Sequence, residues 1–328
     1  MTHTLWKENW AESRQHYLDW WAGKGLVISM WLHIDKDGPP HEPVAPVPPA
    51  TDLRQYWFDP HWRADHLHYT LSRSSFKDDI LPVANTHLGP GSLAAILGAE
   101  LDGRDDTIWI LPRTPDSDAI DLDEANPWLK LHLDLVKACK QQAQGRYFVG
   151  CPDLIEGLDT LAGLRGTQPV LLDTIDRPEE LERQLQAVNK IWFDVFERIY
   201  QEINVDGEMA FCYFSLWAPG RVAKLQSDIS AMISPADFRR FVVPHLREQC
   251  QWLDYSLYHL DGPDAIRHVE ALLEIEELDA IQWTPGAGQP QGGDPKWYNL
   301  YRRIKAGGKA IMPASVDVDT LGRTGCTC

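Results

Sequence analysis

The sequence predicts an α/β fold of repeated βα units around a parallel sheet, the arrangement of a (β/α) barrel, and three observations point there. The first is a series of short apolar runs at residues 80–84, 147–150, 209–214, 256–260, 280–283 and 309–313, each followed by a loop rich in Gly, Pro, Asp or His. The second is the helical periodicity between those runs. The third is length: 328 residues exceed an average domain but suit one barrel with additions.

The elements follow in order. Residues 1–75 read as a helical and loop extension packed on a barrel of residues 76–328. Half of the 14 tryptophans lie there (Trp6, Trp10, Trp20, Trp21, Trp31, Trp57, Trp62) and read as packing residues. Residues 25–33 are apolar and branched enough for a buried strand. Residues 38–49 are proline-rich; proline lacks a donor and restricts the residue before it, so this is an extended surface loop. His16, His41, His61, His66 and His68 crowd the same region, where no strand ends converge, and read as solvated or packing residues. The longest helix is predicted over residues 178–203. Asp176 is its N-cap, Glu179 and Glu180 suit its positive end, and Leu181, Leu185, Val188, Trp192, Val195, Phe196 and Ile199 form its apolar stripe. Ser234 and Pro235 open another helix with a hydroxyl cap and a first-turn proline.

Composition narrows the function. Lys+Arg 31 against Asp+Glu 48 gives a net charge of −17, which disfavours binding to a nucleic-acid backbone. No run of 18 apolar residues occurs and the first twenty residues mix charges with tryptophans, so neither a membrane span nor a signal peptide is expected and the reading is cytoplasmic. Six cysteines at scattered positions do not build a disulfide scaffold; only Cys326 and Cys328 stand close, as a metal or redox pair or as a plain tail.

In a barrel the βα loops converge on one face, so strand ends supply the candidate site. They carry His33, Asp35, Asn85, Thr86, His87, Cys151, Asp153, Trp217, His259, Asp261, Gln282, Trp283, Ser315 and Asp317. His259 and Asp261 stand two apart on a strand and share a face; they read as metal ligands, as a base with its orienter, or as a cap for the next helix. Residues 215–228 read as one long loop placing Trp217, Arg221 and Asp228 around a polar substrate, or holding an internal Arg221–Asp228 ion pair. Gln282, an amide at a buried strand end, needs a partner, either structural or a ligand. The turn from Asn85 through Gly89 and Gly91 reads as an anion-holding helix start or as a tight turn. Neither a P-loop nor a dinucleotide fingerprint is present, so ATP and NAD are not implied.

The segments Phe148-Val-Gly-Cys-Pro-Asp-Leu-Ile-Glu-Gly-Leu-Asp, Ile233-Ser-Pro-Ala-Asp-Phe-Arg-Arg-Phe, Tyr258-His-Leu-Asp-Gly and Leu278-Asp-Ala-Ile-Gln-Trp resemble the uroporphyrinogen decarboxylase-like superfamily over roughly residues 145–315. That superfamily includes uroporphyrinogen decarboxylase, zinc methyltransferases that move methyl groups between methylcobalamin and thiols, and cobalamin-independent methionine synthase. The resemblance implies a TIM-type (β/α)8 barrel. Its members continue for a further helix, strand and helix past residues 309–314, so the barrel is expected to be incomplete at the C-terminus. The Arg-Gln-Ala-Gly-Arg segment of the decarboxylases is missing from residues 30–35, which argues against haem biosynthesis.

The resemblance implies a methyltransferase using zinc, with cobalamin or a corrinoid protein as methyl carrier and a small-molecule substrate. His259 and Asp261 fall where the methyltransferases place a His-x-Cys ligand pair, and Cys326 or Cys328 would complete the metal set. The catalytic candidates are then His259, Asp261 and Gln282, and the substrate-binding candidates Asn85, His87, Asp153, Trp217, Arg221 and Trp283. Two other readings stand beside it. One is a metal-free decarboxylase, with Arg221 or His87 stabilising a carbanion. The other is a ligand-binding barrel without turnover, its hydrophobic edge buried in a homodimer.

Overall fold

The computed structural model describes residues 5–30, 34–113 and 119–316. Its strands are β1 (Val83–Ala84), β2 (Glu100–Gly103), β3 (Ile108–Leu111), β4 (Phe148–Cys151), β5 (Met209–Phe211), β6 (Trp217–Ala218), β7 (Val222–Gln226), β8 (Tyr255–Asp261), β9 (Ala280–Thr284) and β10 (Ala310–Pro313). They form a mixed α/β structure of two four-stranded sheets and one ribbon, β2–β3. In the first sheet β1, β4 and β5 run parallel and β6 returns antiparallel along β5; in the second, β7, β8, β9 and β10 are all parallel.

The two sheets meet where β7 starts beside β5, the Val222 N–H lying 3.3 Å from Met209 Sδ. Among the described residues no ladder joins the sheets, nor β10 to β1.

Three helices precede the first sheet: α1 (Trp10–Trp21), α2 (Leu53–Phe58) and α3 (Pro60–Ser72). Those between β1 and β5 are α4 (Ser92–Ile96), α5 (Pro127–Ala143), α6 (Gly157–Arg165), α7 (Thr167–Asp176) and α8 (Pro178–Ile203). The last four are α9 (Pro235–Phe241), α10 (Val243–Trp252), α11 (Val269–Leu273) and α12 (Tyr298–Ala306). Most of the apolar side chains of strands and helices join one continuous core. The predicted stripe of α8 is its buried face, and its bounds match the expectation, although Asp176 ends α7 and the cap position is Arg177. Ser234 caps α9 as expected, its Oγ accepting from the Asp237 N–H.

α1 lies across the N-terminal ends of the strands. Trp10 and Tyr17 pack on Trp217, which β6 brings back toward that end, and Trp10 also meets Phe148 at the start of β4. Trp21 stacks near Tyr255 at the start of β8 and donates from Nε1 to the Trp217 carbonyl at 2.9 Å. The Tyr17 hydroxyl, fully buried, donates to Ser215 O at 2.6 Å.

Three expectations are corrected. The strand predicted over 209–214 stops at Phe211, because Phe214 (φ 60°) and Ser215 (φ 47°) take the left-handed region and turn the chain back into β6. Residues 215–228 are therefore not one loop: they hold β6 and the whole of β7. Residues 25–30 are not a buried strand; Leu26, Ile28 and Met30 are 61%, 49% and 45% exposed. The β2–β3 ribbon was not foreseen, and it explains the glycine turn: a Cβ on Gly91 would lie 2.1 Å from Ile110 Cγ1, so that glycine permits close packing. Among the described residues no helix is long and apolar enough to cross a membrane.

Candidate functional site

The second sheet sets the geometry. Its register aligns Gln226, His259, Gln282 and Met312 across four strands, so these side chains share a face. Two residues further along each chain, at the C-terminal ends, stand Asp228, Asp261 and Thr284. Asp228, His259 and Asp261 each offer a ligand atom, and these atoms all lie within 4.8 Å of one another.

Each member is held from behind. Asp159, on α6, accepts the N–H groups of Asp228 at 2.6 Å and Ile229 at 2.9 Å, which fixes the 3-10 turn after β7. Gln226 Nε2 donates to Asp228 Oδ2 at 3.0 Å. Gln282 Nε2 donates to Thr284 Oγ1 at 2.9 Å, which leaves Gln282 Oε1 to accept from His259 Nδ1–H. That bond selects the tautomer with a lone pair on Nε2, the usual support of a ligating histidine. Asp261 makes no cap on the next 3-10 turn, whose cap position is Gly262, so the capping alternative does not hold.

Burial displaces these groups toward their neutral forms. It lowers the His259 pKa, with the Lys224 charge adding, and it raises Asp228 and Asp261. Burial also pushes Asp159 up to about 7, reinforced by the Asp228 charge, and raises Glu156 well above the carboxylate range. A neutral imidazole beside two carboxylates that repel one another is a donor set able to hold a divalent cation.

Beneath this layer Lys224 forms a buried ion pair with Asp153 Oδ2 at 2.5 Å. Both side chains are almost wholly enclosed, so Asp153 is held by the protein itself.

The first sheet contributes a separate cleft of about 370 Å³ on the side of α2, α3 and the ribbon. Asn85 and His87 line it, with Tyr56, Trp57, Trp62, Arg63 and Tyr213 among the other walls. The Asn85 side chain accepts the His87 N–H at 3.0 Å and thereby shapes the turn. The His87 ring lies 4.5 Å from Tyr213, its Nδ1 is buried without a partner, and burial holds it neutral. The cleft adjoins the carboxylate–histidine cluster: Tyr213 is followed by Phe214, whose ring centroid is 5.4 Å from that of His259.

The structure therefore brings His259, Asp261, Gln282 and Asp228 together and seats Asn85 and His87 on the neighbouring cleft. It places the other candidates elsewhere. Arg221 precedes β7, at the opposite end of that strand from Asp228, where it pairs with Glu197 at 3.0 Å and stacks over Tyr200 and Trp252. No Arg221–Asp228 pair forms. Trp217 is wholly buried against α1, and Trp283, on the opposite face of β9 from Gln282, packs on Trp297. His33, Asp317, Cys326 and Cys328 lie outside the described residues. The four cysteines at 139, 151, 212 and 250 are buried, and burial raises their thiol pKa values.

Sequence reasoning missed Lys224 and Arg63. Lys224 sits in Val222-Ala-Lys-Leu-Gln, too short and too charged to stand out as a strand. Arg63 lies on the buried side of α3 with Ala64, His68 and Leu71, and the sequence pattern did not single it out.

No protein-family model matches the sequence, and no curated protein matches it. Among solved structures, a methyltransferase from Methanosarcina mazei has a similar fold, with a TM-score of 0.52 and 10% identity over 94% of this chain and 96% of that one. At that identity the likeness is one of fold.

Proposed function

We propose that the chain is a methyltransferase whose two sheets belong to a TIM-type (β/α) barrel of the uroporphyrinogen decarboxylase-like kind, with Asp228, His259 and Asp261 as its metal ligands. The observation that carries the reading is the convergence of those three side chains at the C-terminal strand ends, where such barrels place their chemistry. The fold likeness to a methyltransferase supports the reaction class.

A divalent metal bound there, zinc on the family resemblance, would act as a Lewis acid that favours the thiolate of a thiol acceptor at neutral pH. The chain's own residues prepare the site. Gln282 fixes the His259 ring, Asp159 holds the turn that presents Asp228, and Phe214 covers the imidazole on the cleft side. In the transfer the acceptor S–H proton leaves, an S–CH3 bond forms, and the carrier–CH3 bond breaks with its electron pair kept by the carrier. The carrier is proposed to be a corrinoid or a corrinoid protein, and the site of action cytoplasmic. Of the two groups the decarboxylase alternative relies on, Arg221 lies away from the cluster, whereas His87 lines the cleft.

Elemental analysis of the zinc-loaded, desalted full chain tests the reading. About one zinc per chain is expected, lost in His259→Ala and in Asp261→Ala while both remain folded by circular dichroism. A folded parent that retains no metal sinks it.

A further inference from the structure

We infer that the cleft between α2, α3 and the β2–β3 ribbon binds a small aromatic acid, its carboxylate on Arg63 and its ring against Trp57, Trp62 and Tyr213. The reasoning starts from an imbalance of charge. The cations buried among the described residues are Lys7, Arg63, Arg146, Lys224 and Lys309. Lys224 pairs with Asp153 and Arg146 with Glu42, while Lys7 lies in the field of Asp79 and Lys309 in that of Asp279. Arg63 alone has no carboxylate near enough to act on it among the described residues.

Its partners are two backbone carbonyls, Trp57 O at 3.3 Å and Asn85 O at 3.0 Å. Asp59, one turn earlier on the same helix, is turned away to cap α3 through the His61 and Trp62 N–H groups. Asp106 also lines the cleft, but it is exposed and forms no ion pair with Arg63. A buried charge without a counter-charge costs several kcal/mol, and a guanidinium has N–H donors to spare beyond two carbonyl bonds. An anion entering the cleft supplies the missing charge, and a carboxylate matches the planar fork.

The walls select the rest of the ligand. Tyr56, Trp57, Trp62 and Tyr213 present aromatic surface, with Trp62 already stacked on His66 at 4.8 Å. Aromatic walls also hold quaternary ammonium groups, but the uncompensated positive charge of Arg63 disfavours a cation beside it. A flat neutral ring that stacks on these side chains meets no such penalty. A cleft of about 370 Å³ has room for a one-ring acid. The binding claim stands apart from the methyl-transfer reading, because its test uses a ligand with no methyl group to transfer.

Isothermal titration of the full chain with benzoate, benzamide and cyclohexanecarboxylate decides it. Benzoate should bind at one site per chain, benzamide on the order of tenfold more weakly for want of charge, and cyclohexanecarboxylate more weakly than benzoate. Arg63→Met should abolish the preference for benzoate over benzamide and leave the melting temperature unchanged or higher, since it removes a buried unpaired charge. Trp62→Ala should keep the preference for the acid while narrowing that for the ring, and it serves as the second variant if Arg63→Met fails to fold. Benzoate binding no tighter than benzamide binding, or unchanged in Arg63→Met, overturns the proposal. So does glycine betaine binding in place of benzoate.

Discussion

The two ends of the parallel strands are built on opposite terms. At the N-terminal ends α1 buries rings against rings: Tyr17 Oη reaches Asp79 O and Ser215 O and Trp21 Nε1 reaches Trp217 O, while the Nε1 of the enclosed Trp217 has no partner. At the C-terminal ends Asp228, His259 and Asp261 crowd within 4.8 Å, the histidine pKa lowered and the two carboxyl pKa values raised by burial, and nearby His87 also keeps a buried nitrogen without a partner. One end is organised for stability. The other gathers titratable groups whose pKa values burial shifts toward their neutral forms.

The largest expected effect breaks the first end. Trp217→Ala removes a fully buried indole that three rings of α1 and β4 enclose directly or through Trp10, and it should cost about 3–5 kcal/mol, read as a fall in the denaturation midpoint. Zinc uptake by the fraction that remains folded should be unchanged. If metal is lost while the fold is kept, Trp217 belongs to the site after all and the division between the ends is wrong.

A smaller effect tests the middle. Lys224→Met leaves Asp153 buried beside an apolar side chain, and breaking such a pair costs about 3 kcal/mol. Lys224→Met combined with Asp153→Leu should recover most of that loss, because two apolar groups replace both charges. A double variant as unstable as the single one would show that Lys224 is held by Gln226 rather than by Asp153.

These contrasts also show what the residue pattern carried. The positions of β4, β8, β9 and β10 were legible because each is a short apolar run between turn-forming loops, and the pairing of His259 with Asp261 followed from the period of two along a strand. Arg221 was misplaced for a specific reason: Trp217-Ala-Pro-Gly reads as the start of a loop, whereas it is a return strand and a turn. Gly220 is the mark of that turn, its missing Cβ leaving room for Asp254 at 2.6 Å. Arg63 was illegible because its significance is the lack of a partner, and a lack depends on where every acid in the fold ends up. Asp59, four residues before it, serves as a helix cap.

The smallest effect is a pH dependence, and it sharpens the comparison where α5 backs the cleft. His132 is buried on α5, its Nδ1–H donating to Trp128 O at 2.7 Å and its Nε2 without a partner. Burial lowers its pKa to about 4 from 6.5, against the opposing pull of the Trp128 bond and with the Arg63 charge adding. Above pH 6.5 the imidazole is neutral in both folded and unfolded chains and titration contributes nothing. As the pH falls from 6.5 toward 4 the unfolded chain takes up a proton that the folded chain refuses, so stability declines across that window and levels off below it. The loss is bounded by about 3 kcal/mol, since a shift from 6.5 to about 4 is worth roughly 1.4 kcal/mol per unit, and it is measured as the change in urea midpoint between pH 7 and pH 4. His132→Gln should flatten that limb, and benzoate at saturation should raise the whole curve while making the limb slightly shallower, since an anion on Arg63 offsets one of the charges that lower the pKa of the ring. An acid limb unchanged in His132→Gln would assign the decline to other buried histidines, His87 first, and would move the pH-sensitive group from the back of the cleft to its wall.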